Sequence, residues 1–89
     1  MCTMIATQIT IAGTGKAGNG WFVLREANVS YDHPFEAPFD HALNIDFVNE
    51  SLGPGARVAV ELDVASARKL VETITAVLAK ADQAGVLGE

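Results

Sequence analysis

His33 and His41 are the only two imidazoles in the chain, and their setting gives them chemical interest. His33 sits in Tyr31-Asp32-His33-Pro34, and His41 opens the strand-like run Ala42 to Val48. If the segments flanking Pro34 to Asp40 pair as a hairpin, the simplest register sets His33 opposite His41, with Cβ atoms ~5 Å apart. Tyr31 then faces Leu43 on the same side. Two neutral imidazoles at one end of a sheet suit zinc, copper or iron, with a missing ligand taken from water or a second subunit. A neutral histidine hydrogen-bonded to Asp32 or Glu36 would instead move a proton on a small metabolite. The structural alternative is that histidines at strand ends cap edges and that His-Pro marks a turn. The chain carries no C-x-x-C or H-E-x-x-H signature to decide between them.

Other donors converge if neighbouring strands are sequential. An antiparallel first strand brings Cys2 toward Tyr31 and His33, and a fourth strand running back beside the third ends near Asp63. A helix starting there disfavours positive charge and pushes a nearby histidine toward its neutral form. The candidate metal or ligand set is therefore His33, His41, Cys2, Glu36 and Asp40, supported by Tyr31, Asp32 and Asp63. Glu26, Asn28 and Asp46, on the opposite sheet face, form a second and weaker candidate. Because one slipped residue reverses every side chain, the convergence depends on register. Arg25 interrupts the apolar face of the second strand and calls for a carboxylate, an anionic ligand or a path past the sheet edge.

Period-two alternation supplies the strands that must hold these groups. Thr3 to Ala12 alternates, and the glycine-rich run Gly13 to Gly20 then breaks it as a flexible hairpin. Gly13-Thr14-Gly15-Lys16 is no phosphate loop, because Ala17 follows the lysine and a strand comes next. Trp21 to His33 forms the second strand, ended by Pro34; the third starts at His41; the fourth is Arg57 to Asp63. From Asp63 the period becomes helical, with Ala67, Leu70, Val71, Ile74, Val77, Leu78 and Ala81 on one stripe. Asp63 is the expected N-cap and Gly85 the stop.

These elements predict one α+β domain over residues 1–89, with the sheet over 3–63 and the helix over 64–84. The fold is a four-stranded antiparallel meander with one C-terminal helix packed across one face. That face carries Ile5, Ile9, Trp21, Val29, Tyr31, Leu43, Ile45, Phe47, Val60 and Leu62. On the other, Phe22, Leu24 and Val48 form an apolar patch fit for a partner sheet, so a homodimer stacked face to face is expected.

Composition removes several classes of function. A net charge of −5 and no basic patch argue against nucleic acid. A single cysteine excludes an internal disulfide framework and suits a reducing compartment. With no signal-peptide pattern and no long apolar run, a soluble cytoplasmic protein without a membrane partner is expected.

Several motifs resemble a family of short, mainly actinobacterial proteins. They are the start Met1-Cys2-Thr3-Met4-Ile5-Ala6, then Gly20-Trp21-Phe22, Tyr31-Asp32-His33-Pro34 and Ala37-Pro38, and finally His41 to Phe47 and Ala56 to Leu62. The resemblance spans nearly the whole chain and implies a bacterial cytoplasmic protein; the family is functionally uncharacterised and lends no catalytic roles. The leading expectation is a metal- or small-ligand-binding protein using the His33/His41 end. The rivals are a small isomerase, cyclase or lyase with a histidine base, and a structural or regulatory module acting through the exposed sheet face.

Overall fold

The computed structural model describes residues 5–88. Its elements run β1 (Ile5–Ala17), β2 (Gly20–Asp32), β3 (Ala42–Val48), a short 3-10 turn (Glu50–Leu52), β4 (Arg57–Leu62) and α1 (Val64–Gln83). The strands form one antiparallel sheet in the order β1-β2-β3-β4. This is the α+β meander that alternation and helical period imply.

The register follows the apolar pattern. Tyr31 pairs with Leu43, Ser30 with Asn44 and Asn28 with Asp46. Leu43 pairs in turn with Leu62, and Ile5 with Tyr31. The ends of β2, β3 and β4 and the start of α1 therefore meet at one end of the sheet.

Strand β1 is longer than its alternation suggests. The run Gly13 to Lys16 is strand, paired with Leu24 to Trp21, rather than a loose hairpin. A register shift between Thr10 and Gly13 sets Ile11 and Ala12 against Arg25 alone. Such a bulge bends the strand and increases its twist. Leu24 fills the space beside Gly15, where an added Cβ would lie 3.1 Å from the leucine side chain. The actual turn is Gly18-Asn19, between Ala17 and Gly20.

The edge strands β1 and β4 approach one another, so the sheet curls. Inside the curl Val48 and Ala56 are buried, and Phe22 and Leu24 are half-buried. The Phe22-Leu24-Val48 patch is therefore partly covered within the chain, while Ile5, Ile9, Trp21 and Val23 are more exposed. Asn49, only 5% exposed, fastens the turn after β3. Its Nδ2 donates to the Val23 carbonyl at 2.9 Å, and its Oδ1 accepts from the Ser51 backbone N–H and hydroxyl.

Asp63 caps α1 as expected, its Oδ1 accepting from the Ser66 N–H at 2.7 Å. At the other end Gly85, at φ +72°, adopts the left-handed conformation. That geometry lets Val86 N–H reach the Ala81 carbonyl and Gly85 N–H the Asp82 carbonyl, closing the last turn. The helix rests on the sheet at β3, with Val64 and Ala67 beside Tyr31 and Leu43. Its cover is partial: Ile5 is 62% and Trp21 70% exposed. Among the described residues, no helix is long and apolar enough to cross a membrane.

Candidate functional site

Three rings stack at the sheet end where β2 leaves and β3 enters. His41 lies against His33 with ring centroids 4.7 Å apart, and against Tyr31 at 5.7 Å. The planes are inclined by 27° and 17° respectively. The cause is local register. Asp32 pairs with Ala42 in the last ladder step, so the next residues outward, His33 and His41, oppose each other. Tyr31 is their diagonal neighbour on the same side, within aromatic reach.

The loop between the strands fixes one ring further. His33 Nδ1 lies 2.9 Å from the Asp40 backbone carbonyl. A carbonyl only accepts, so Nδ1 carries the hydrogen, and in the neutral ring Nε2 holds the lone pair. The His33 backbone N–H donates to Asp32 Oδ1 at 2.7 Å, so that carboxylate helps to hold the turn.

The loop is pinned from across the sheet by Glu61 of β4. Its Oε2 accepts from the Phe35 N–H, and its Oε1 accepts from Glu36 and Ala37 at 3.0 and 2.9 Å. The backbone donors of Phe35, Ala37 and Glu36, in that order, hold the Glu61 carboxyl below the usual glutamate range. Glu61 and the loop frame an open groove of about 550 Å³, lined by Phe35, Glu36, Ala37, Arg57, Ala59 and Glu61. Glu61 is the important residue that residue-type reasoning passes over. It reads as one more polar residue of a solvated strand face, and its partners are backbone amides.

The expected donors divide accordingly. His33, His41 and Tyr31 are brought together. Asp40 contributes its peptide carbonyl, and Glu36 a backbone N–H to the clamp. Asp63 is engaged as the helix cap, and its hydrogen bonds from the Ser66 hydroxyl and backbone hold its carboxyl below the usual range. Cys2 lies outside the described residues. Among those residues, no group of three or more His, Cys, Asp or Glu side chains is arranged to hold a metal ion.

In the second candidate, on the opposite face, Asn28 and Asp46 each hold a hydrogen-bonded partner. Asn28 Oδ1 accepts from Gln8 Nε2 at 2.8 Å. Asp46 Oδ1 takes both Nε and Nη2 of Arg57, at 3.1 and 2.9 Å, which balances its charge. Glu26 pairs with Thr10 and Val48 at the end of that row. Asn44, between them, has a buried Oδ1 without a hydrogen-bond partner among the described residues. Arg25 is exposed opposite the bulge.

No curated protein and no solved structure matches the chain. One family model does, over residues 1–87, and a match of that extent settles kinship: the chain belongs to the family described as "Family of unknown function (DUF6295)".

Proposed function

We propose that this chain is a binding protein whose His33/His41 end takes a transition-metal ion, with further ligands from solvent, Cys2 or a second subunit. The observation that carries the reading is the imidazole pair at 4.7 Å, with His33 Nδ1 anchored on the Asp40 carbonyl. Metal-ligating histidines commonly donate their other ring N–H to a carbonyl or carboxylate, which fixes the tautomer and raises ligand basicity. The clamp on Glu61 supports the same reading, because it holds the loop that supplies the carbonyl. Imidazole with water or thiolate suits zinc, copper or iron better than calcium or magnesium, which prefer oxygen donors. Proton transfer would need one anchored histidine and gives the second no role; a shared ion would use both, with the stacked rings turning so that their in-plane lone pairs converge on it.

Elemental analysis of untagged protein, wild type beside His33→Ala/His41→Ala, tests this. The expected result is close to one metal per chain or per pair of chains in the wild type, lost in the double variant. Absence of bound metal in both, after incubation with zinc, copper and iron, would overturn it.

A further inference from the structure

The chain is 49% hydrophobic, yet among the described residues no large side chain is fully buried. The buried apolar residues among them are Ala27, Ala42, Val48 and Ala56. A compact monomer of this mass exposes about 5,000 Å². This chain exposes 6768 Å², roughly a third more than that expectation. Its radius of gyration is 14.9 Å, against about 12 Å for a compact domain of this length. Part of the excess lies on the sheet and the helix. Ile9, Trp21 and Val23 on the sheet are half exposed or more, as are Ile74 and Val77 on the α1 stripe.

α1 covers only part of its own sheet. Asp63 alone separates β4 from α1, and its side chain locks the first helical turn. The helix meets the sheet near its start, beside β3, and its distal stripe is exposed.

We propose that the apolar sheet face and the α1 stripe of one chain are covered by those of a second copy, in a two-fold dimer. A two-fold interface uses the same patch on both subunits, and this patch offers both a helix ridge and a sheet surface to receive it. The area fits. Drawing two such chains into one compact body of twice the mass would bury on the order of 5,000 Å² in total. Obligate homodimers bury roughly 2,000–5,000 Å², with interfaces that resemble a domain core cut in half. The interface lies on the face opposite the partly covered Phe22-Leu24-Val48 patch.

Sedimentation equilibrium of the full chain tests the proposal, with Ile9→Glu and Ile74→Glu as interface variants and circular dichroism as the check on folding. Twice the 9.4 kDa chain mass in the wild type is expected, with at least a tenfold weaker association in each variant. A wild type that sediments at the chain mass, or folded variants that remain as tightly dimeric as the wild type, would overturn it. If both variants fail to fold, acrylamide quenching of the sole tryptophan, Trp21, in the wild type decides. Shielding is expected on this proposal, and quenching as efficient as that of free indole would refute it.

Discussion

At position 40 the functional group is the peptide carbonyl, because it is what holds His33 Nδ1. Asp40→Ala leaves that carbonyl in place. Nitrogen-15 chemical shifts of the His33 ring should therefore keep the Nδ1–H tautomer in this variant; a switch to Nε2–H would show that the side chain matters instead. Asn49 is the contrasting case, a residue whose side chain carries the structure. Asn49→Ala removes the donor to the Val23 carbonyl and the acceptor for Ser51, leaving buried polar groups unpaired. The expected cost is about 1–3 kcal/mol, read as a lower urea midpoint with an unchanged slope. The histidine pairing is legible from residue types because both imidazoles sit one step beyond a strongly patterned hairpin. The anchor on Asp40 is not, since any residue supplies a carbonyl.

Strand β4 and the loop before β3 behave as one element through Glu61. A carboxyl whose folded pKa is lowered stabilises the fold above its unfolded value, and that contribution is lost as pH falls through the folded value. Glu61 and Asp63 both shift in this direction, so loop and helix start are held firmly above the ordinary carboxylate range of about 4. As pH falls below it, the protection of the Phe35, Glu36 and Ala37 amides against exchange, measured relative to the intrinsic rate at each pH, should drop before that in β2 and β3. In Glu61→Gln the loop should be looser at neutral pH and lose this acid step; an unchanged step would assign it to another group. At the far end of the helix, Gly85→Ala places a Cβ at φ +72° and should cost about 1 kcal/mol, seen as a lower thermal midpoint. Strand existence, order and pairing could be read from alternation, and the helix from its stripe and Asp63 cap. The continuation of β1 through Gly13 and Gly15 could not, because glycine contributes no side chain to the alternation. The loop clamp was equally hidden, being made of backbone amides.

For the molecule as a whole, the sequence pattern and the single chain disagree in an informative way. The pattern assigns Ile5, Ile9 and Trp21 to a covered face, and the hydrophobic effect agrees, at about 25 cal/mol per Å² of apolar area. In one chain that face stays largely open, because the bulge curls the sheet and the short β4–α1 link directs the helix. Alternation says which side chains seek cover without saying which chain supplies it. If a second copy does, folding and association are one process, and stability depends on protein concentration. Each tenfold increase then adds about 1.4 kcal/mol per mole of dimer. For a unit of this size, that raises the thermal midpoint by about 3–6 °C. Calorimetry over two decades of concentration should show the drift, and Ile74→Glu should reduce it as association is lost. A midpoint independent of concentration in the wild type would mean that the apolar face is not covered by a second copy, and the helix would then have to pack more fully over its own sheet.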